Sequence, residues 1–324
     1  MKMKKEFLEI KKQLTHFDMI DCPLCWESYK NTRTLFKNDN WLSDHKRICK
    51  KCWLIYQSPR RTESDTNIFY NKFYLKNYFS PYCKIVSSEK IHFNHWFLRI
   101  DEINLFYEEI KRAKKPIEIW CSSGWVLKAL SAINPNFYWI DIDDDSIKYA
   151  KDQWLNAENK SLFDLKNNTY DFAIMSHVCE HLLDPDSFLK KINDILVEWG
   201  LFLIFVPDSY KTHEWPHVPH TFCFTDQTLI SMVTKHWFIV NNNVLYKNRP
   251  QRFKKDIIIL FQKSNNSKQI LSYYSGYKFN IYKLQRILIR LLEITRIKKF
   301  LIKIFKLDKV WKHLDKKEYS RKKM

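Results

Sequence analysis

The sequence predicts an α/β protein with a doubly wound, mostly parallel sheet, a small cysteine-rich unit before it and a basic helical tail after it. Strand-length apolar runs alternate with helix-length amphipathic segments across the middle of the chain. Two CxxC pairs stand near the beginning, and lysine and arginine accumulate near the end. We expect four parts: the cysteine-rich unit in 1–60, a helical connector in 61–114, the α/β domain in 115–265 and the tail in 266–324.

The composition is that of a globular protein. Of the 324 residues, 45% are hydrophobic and 28% are charged. No apolar run of about 18 residues predicts a transmembrane helix, and the charged N-terminal stretch lacks the pattern of a secretory signal. Paired cysteines in such a protein indicate metal binding rather than disulfides, so we expect a cytoplasmic location.

The cysteine-rich unit has the spacing of a zinc site. Cys22 and Cys25 form one pair and Cys49 and Cys52 the other, which gives C-x2-C-x23-C-x2-C. Four thiolates can close a tetrahedral Zn²⁺ site, and a unit this short lacks the apolar core to fold without one. Four unrelated buried cysteines are the alternative. A closed four-cysteine site is structural and implies no chemistry by itself.

The α/β domain opens with a unit typical of nucleotide binding. Ile117 and Ile119 have the spacing of a short strand, residues 120–124 form a small-residue turn, and an amphipathic helix follows. Asp141 lies near the end of the next apolar run, about 20 positions after the turn, where a carboxylate can bind ribose hydroxyls. The turn holds only one glycine, so this signal is weak alone.

Later apolar runs extend the predicted sheet. They lie at 162–164, 170–175 and 201–206, and an antiparallel edge hairpin is predicted from 237–246 and 256–263. Ligands bind at the carboxyl ends of the strands in such sheets. We therefore expect the turn 120–124, Asp141, Asp164 and residues 176–181 to surround one crevice.

Several stretches, in this order, resemble one enzyme family. They are CPLC and CKKCWLIYQSPR, then IEIWCSSG, WIDID, YDFAIMSHVCEHLLDPDSFL, GLFLIFVPD and PHTFCFTDQTLISMVTKHWFIV, and they cover most of residues 20–263. The chain resembles the class I S-adenosylmethionine-dependent methyltransferases, in particular members with an N-terminal zinc ribbon that often act on sugars or other small metabolites. The resemblance implies a Rossmann-like fold, S-adenosylmethionine as cofactor and a structural Zn²⁺.

The resemblance also implies cofactor contacts for matched residues. Asp141 would accept hydrogen bonds from the ribose, Asp164 would lie near the adenine amine, and Glu118 would face the methionine part. The implied cofactor-binding residues are Glu118, Trp120, Cys121, Ser122, Gly124, Asp141, Ile142, Asp164, Ser176 and His177.

Three histidines are the candidate catalytic residues. His217 and His220 match a histidine-bearing loop, and either could take a proton from the acceptor. His181, in the Glu-His-Leu motif, could orient the substrate. A structural role for His181 and merely polar roles for the loop histidines are the alternatives. Methyl transfer asks mainly for alignment and exclusion of water, so a base matters where the acceptor must lose a proton.

Tryptophan and glycine have unusual counts. Glycine occurs 3 times, where ordinary usage near 7% would give about 23, and tryptophan occurs 12 times. Trp120 should block the close backbone approach that a cofactor needs. One bacterial genetic code reads UGA as tryptophan and another as glycine, so we hypothesise that many tryptophans are glycines in the cell. Seven stand at turns, knuckles or the cofactor loop, where glycine is wanted: Trp26, Trp53, Trp120, Trp139, Trp154, Trp199 and Trp237.

The end of the chain, 278–324, is predicted to form a basic amphipathic helical stretch. It holds 16 Lys and Arg against four acidic residues, a net of 16 − 4 = +12 out of the chain's +19. Such a segment suits an interfacial membrane helix or an acidic partner, and a helix packed on the domain with a solvated basic face is the alternative. Nucleic acid is less expected, because the charge lies on a tail and not around the crevice.

We therefore expect a cytoplasmic methyltransferase that acts on a small molecule such as a nucleotide-linked sugar or glycan precursor, with peripheral membrane contact through the tail as a further option. An RNA methyltransferase is the first alternative, favoured by the ribbon and the tail. A non-enzymatic binding protein that has lost its cofactor is the second, and a literal Trp120 would favour it. The acceptor, the methylated atom and the oligomeric state stay open.

Overall fold

The structure, a computed structural model, describes residues 13–36, 45–70, 100, 102–120, 125–152, 154–209, 220–241 and 256–265. These residues belong to one compact unit, Met1–Tyr274. The predicted basic tail lies outside the described residues. The described strands are β1 (Phe17–Asp18), β2 (Thr32–Phe36), β3 (Lys46–Cys49), β4 (Ile55–Gln57), β5 (Arg60–Arg61), β6 (Pro116–Ile119), β7 (Tyr138–Asp141), β8 (Ala157–Asn159), β9 (Tyr170–Ser176), β10 (Leu196–Pro207), β11 (Phe222–Cys223), β12 (Phe238–Val240) and β13 (Asp256–Lys263). The described α-helices are α1 (Glu63–Ile68), α2 (Tyr107–Arg112), α3 (Trp125–Ile133), α4 (Asp144–Asp152), α5 (Pro185–Ile195) and α6 (Asp226–Thr234).

The described part of the chain contains a seven-stranded sheet in the order β12-β13-β10-β9-β6-β7-β8. Strands β6 to β10 pair in parallel, whereas β13 runs antiparallel to β10 and β12 runs antiparallel to β13. The predicted doubly wound sheet with a final antiparallel pair is confirmed. Strand β13 lies inside the sheet, and β12 forms the edge.

Both faces of this sheet are buried, as a parallel sheet requires. Ala173 and Met175 of β9 belong to one apolar cluster, which also includes side chains of α5 and α6. Phe172 and Ile174 belong to a second cluster, with side chains of α2, α3 and α4. The alternation along one strand therefore fills two core layers.

Local capping sets where the helices begin. The Asp184 side chain accepts a hydrogen bond from the Ser187 N–H, and Pro185 opens α5. Thr225 and Thr228 form a reciprocal capping box at the start of α6. Such caps satisfy N–H groups that have no partner within the helix.

The prediction of a strand end at residues 162–164 is wrong. Residues Leu162–Asp164 form a short 3-10 helix, and the strand β8 lies before it. Ser161 caps this helix by accepting from the Phe163 N–H, while the Asp164 carboxylate accepts from the Ser161 N–H. The local side-chain hydrogen bonds of Ser and Asp compete with strand pairing here.

The cysteine-rich unit shares a sheet with the α/β domain. Strands β2, β3 and β4 form an antiparallel meander, and β11, which follows β10 in the chain, adds to it as the fourth strand in the order β11-β4-β3-β2. Phe222 pairs with Tyr56 and Cys223 pairs with Ile55. Buried side chains of the unit also share one apolar cluster with those of the α/β domain. A helix long and apolar enough to cross a membrane does not occur among the described residues.

Candidate active site

The four predicted metal ligands lie together. The Sγ atoms of Cys22 and Cys52 are 3.4 Å apart, those of Cys25 and Cys49 are 3.6 Å apart, and all four lie within 4.8 Å of one another. A disulfide would need about 2.05 Å, and these cysteines are free thiols. Tetrahedral Zn–S bonds of about 2.3 Å place sulfurs about 3.8 Å apart, so the cluster fits a zinc ion.

The two cysteine pairs have the same backbone turn. The Trp26 N–H donates to the Cys22 carbonyl at 2.8 Å, and the Trp53 N–H donates to the Cys49 carbonyl at 3.1 Å. The φ angles of Trp26 and Trp53 are 58° and 65°. Each turn folds back on its first cysteine and brings both thiols of a pair to one side.

Two acidic residues on neighbouring strands mark the predicted cofactor edge. Glu118 in β6 and Asp141 at the end of β7 are both buried, and the two strands pair in parallel. The Asp143 N–H donates to Oδ1 of Asp141 at 2.9 Å. Ile142, immediately after Asp141, is exposed and offers an apolar surface beside that carboxylate.

Burial raises the pKa of Asp141 to about 6, although backbone N–H groups of Asp143 and Ile142 favour the ionised form. A ribose hydroxyl that donates to the Asp141 carboxylate would further favour the ionised form.

Other predicted cofactor residues lie around the same edge. Ser176 ends β9 and is buried, and His177 follows it with a φ of 57° and an N–H that donates to the Phe205 carbonyl at 2.9 Å. Asp164 is exposed, and its carboxylate accepts the capping hydrogen bond from the Ser161 N–H. The remaining predicted site residues lie outside the described residues: Cys121, Ser122, Gly124 and His217.

Trp120 does not fit the predicted cofactor loop. Its φ is 53°, and its ring packs edge-to-face on Phe188 with centroids 4.8 Å apart. Phe188 in turn packs on Phe163, beside Asp164, at 5.2 Å. The indole Nε1 is buried, and no described residue offers it a hydrogen-bond acceptor. The indole thus fills space on the side of the crevice where the adenine is expected.

His181 and His220, two of the predicted catalytic histidines, come together across the fold. Their rings pack edge-to-face with centroids 4.8 Å apart, and the Tyr70 hydroxyl lies 3.3 Å from His181 Nδ1. Next to them lies Glu180, which is almost fully buried and whose carboxylate oxygens accept no hydrogen bond from the described residues. Glu180 Oε1 lies 3.3 Å from His177 Nδ1 and 3.9 Å from His181 Nε2.

This group of two imidazoles and one buried carboxylate can accept and stabilise a proton. A carboxylate next to an imidazole orients the ring and favours its protonated form. Ligand atoms of Glu180, His181 and His220 also lie within 4.8 Å of one another, a spacing that suits a metal ion. The sequence did not predict a role for Glu180, because its proximity to the histidines depends on the turn after β9.

The cysteine-rich unit holds the chain around His220. Lys46 is fully buried, and its Nζ donates to the His220 carbonyl at 2.6 Å. The Gln57 N–H donates to the Thr221 carbonyl at 2.8 Å, next to the pairing of β11 with β4. The sequence did not predict this link, because the two apolar residues of β11 carry too little periodicity to indicate a strand.

Part of the chain is similar to known proteins. Residues 92–238 match a family model described as a methyltransferase domain. An uncharacterised protein of Methanocaldococcus jannaschii is 27% identical over 139 residues, which is 42% of this chain and 53% of that protein. The chain therefore matches about half the length of this curated relative.

Solved structures with a similar fold include two methyltransferases described as dependent on S-adenosylmethionine. One, from Archaeoglobus fulgidus, covers 52% of this chain and 94% of its own at 16% identity, with a TM-score of 0.43. The other, from Methanosarcina mazei, covers 47% of this chain and 93% of its own at 14% identity, with a TM-score of 0.39. Residues 92–238 are therefore similar to a methyltransferase domain, and the mostly parallel α/β sheet agrees with that similarity.

Proposed function

We propose that this chain is a zinc-ribbon methyltransferase that transfers the methyl group of S-adenosylmethionine to a small acceptor, such as a nucleotide-linked sugar or glycan precursor. The observation that carries the proposal is the contact between His181 and His220 above buried Glu180. This group lies just beyond the end of β9, on the same sheet edge as Asp141.

The cofactor would be held by acidic residues on that edge. Asp141 would bind the ribose, and Glu118 would face the methionine part. The bound cofactor supplies a methyl group already activated by its sulfonium, so the protein contributes mainly alignment and a dry site. Trp120 is the one described residue in conflict with this assignment.

The histidines would serve the acceptor. His220 is buried and His181 is half-buried, so a proton accepted there is shielded from bulk water. Glu180 would stabilise the imidazolium that forms. Such a base is needed when the attacking hydroxyl, amine or carbon must lose a proton.

The enclosure of this site favours a small acceptor. β11 and the ribbon strand β4 run beside His220, and Arg60 of the ribbon donates to the Leu183 carbonyl at 2.6 Å, close after His181. A covered base suits a compact substrate better than a long polymer. Zinc at the four cysteines would keep the ribbon folded and would take no part in the reaction.

Methyl transfer from labelled S-adenosylmethionine to a panel of nucleotide-linked sugars, with RNA in a parallel reaction, tests the proposal. His220→Gln should lower kcat by about 10²-fold or more, because it removes the base, while cofactor affinity stays within about twofold. His236→Gln, at a histidine paired with Asp186 elsewhere on the domain, is the matched control and should keep activity. Label transfer to RNA alone would overturn the small-molecule assignment.

A further inference from the structure

Tryptophan occupies nearly every left-handed position of the described chain. Within the described residues, eight residues other than glycine have φ between 50° and 65°. Two are Asn168 and His177. The other six are Trp26, Trp53, Trp120, Trp154, Trp199 and Trp237.

Tryptophan is poorly suited to this conformation. In the left-handed region Cβ crowds the following carbonyl, so glycine is the usual occupant, and asparagine is the commonest exception. Burial does not explain several of these positions, since Trp154 is 96% exposed, and Trp199 and Trp237 are also exposed. A large apolar ring at an exposed, strained backbone position gains little packing in return.

The hydrogen bonds around Trp154 identify the type of turn. The Trp154 N–H donates to the Lys151 carbonyl at 2.9 Å, and the Leu155 N–H donates to the Ala150 carbonyl at 3.1 Å. These two bonds form the Schellman motif that ends α4, and Trp154 stands at its left-handed position. Glycine is the residue most often found there.

The same requirement recurs at the functional positions. Trp26 and Trp53 close equivalent turns after the two cysteine pairs. Trp120 directly follows β6, and its N–H donates to the Ile140 carbonyl at 3.0 Å. A residue without a side chain at 120 would leave open the space that the indole fills next to Phe188. The conflict with the cofactor would then disappear.

Two other described tryptophans behave differently. Trp125 lies in helix α3, and Trp139 lies in β7, fully buried in the core. The expectation of a glycine-type backbone at Trp139 is therefore wrong, since an extended strand accepts any side chain that the core can hold. Unlike the other six, these two tryptophans do not have a positive φ.

We infer that the natural protein carries glycine at positions 26, 53, 120, 154, 199 and 237, because its gene has UGA there and its cell reads UGA as glycine. Glycine at 120 then belongs to the cofactor-binding loop, glycine at 199 lies at the register irregularity near the start of β10, and the other four shape turns. The assignment of glycine to the six positions is argued from backbone geometry. The role of glycine at 120 in cofactor binding rests on the proposed function.

The codons of the gene and the peptides of the protein purified from its natural source test the assignment directly. We expect UGA at all six positions, and peptide masses that show glycine at each. The codon UGG at these positions, or peptides that contain tryptophan there, would overturn the inference.

A pair of single variants of the literal chain separates the two parts. Trp120→Gly and Trp154→Gly should both raise the thermal midpoint, since both relieve left-handed strain. Only Trp120→Gly should strengthen S-adenosylmethionine binding, by about tenfold or more in calorimetry. Raised midpoints with no gain in affinity would overturn the role of position 120 while leaving the turn assignment intact. No rise in either midpoint would contradict the assignment itself.

Discussion

Asp141 combines an acidic side chain with burial at the end of a strand. Burial disfavours its charge, whereas a ribose hydroxyl would favour it, so its protonation and cofactor binding should be linked. Its position was predictable, because an acidic residue after an apolar run in an α/β unit points to the strand end. The burial of Glu180 was not predictable, because it depends on how the turn after β9 folds back.

Asp141→Asn should weaken S-adenosylmethionine binding by about 1.5–3 kcal/mol, the scale of hydrogen bonds to a charged group. Calorimetry on the chain with glycine at positions 26, 53, 120, 154, 199 and 237 measures the change. Asp152→Asn, at the exposed end of α4, is the matched control and should bind like the parent. Equal affinity of the Asp141 variant and the parent would place the ribose elsewhere.

The affinity should also depend on pH through the same carboxyl. Its pKa of about 6 in the free protein implies that protonation below pH 6 weakens cofactor binding, and the Asn variant should lose this dependence. Stability should change in the opposite sense. The folded state binds more protons than the unfolded state between pH 3.8 and about 6, so this contribution to the free energy of unfolding falls as the pH rises through that window. Binding isotherms at pH 5 to 8 for both chains measure this dependence. A cofactor affinity of the parent that does not change with pH would contradict the link.

Among the secondary-structure elements, β11 connects the cysteine-rich unit to the backbone beside His220. Sequence patterns sufficed for the long apolar strands β9 and β10 and for the cysteine spacing. They did not reveal β11, because two residues carry too little periodicity to mark a strand and its partner β4 lies far away in the chain. The pairing nevertheless fixes the backbone beside His220, so we expect the ribbon to influence the reaction without touching substrate.

Purified protein should hold about one zinc per chain, and Cys49→Ser should release it, since three thiols no longer close a tetrahedral site. Cys179→Ser, at a buried cysteine outside the cluster, should retain the metal. Metal content by mass spectrometry decides the matter. Full zinc occupancy in the Cys49 variant would refute the four-cysteine site, and a ratio near two in the parent would indicate a second ion at Glu180, His181 and His220.

Lys46→Met should lower kcat by about tenfold to a hundredfold, because it frees the backbone at His220, while zinc content and cofactor affinity stay unchanged. Lys50→Met, at an exposed position on the same hairpin, serves as the control. Steady-state kinetics with a split between kcat and KM separates positioning from simple loss of stability. A destabilised Lys46 variant with normal kcat would show that the lysine only supports the fold.

For the molecule as a whole, the six tryptophans in the left-handed conformation together cost about as much free energy as a typical domain has in total stability. Each costs roughly 1–2 kcal/mol relative to a residue at ease there, and a domain is stable by only about 5–15 kcal/mol. Replacement by glycine offsets part of the relief of strain, because each glycine increases the conformational entropy of the unfolded chain, at a cost of about 0.4–1 kcal/mol in stability. The net difference is about 5 kcal/mol in favour of the chain with six glycines.

Replacing all six tryptophans with glycine should therefore raise the free energy of unfolding by about 5 kcal/mol, close to the sum of the single changes where the sites lie far apart. Trp139→Gly is the matched control with the same chemical change and the opposite sign. Trp139 is fully buried at a position without left-handed strain, so its loss should destabilise the protein by about 3–5 kcal/mol through the cavity that remains. Urea unfolding followed by circular dichroism gives both free energies of unfolding. If the six changes destabilise the protein as the control does, these tryptophans belong to the natural fold.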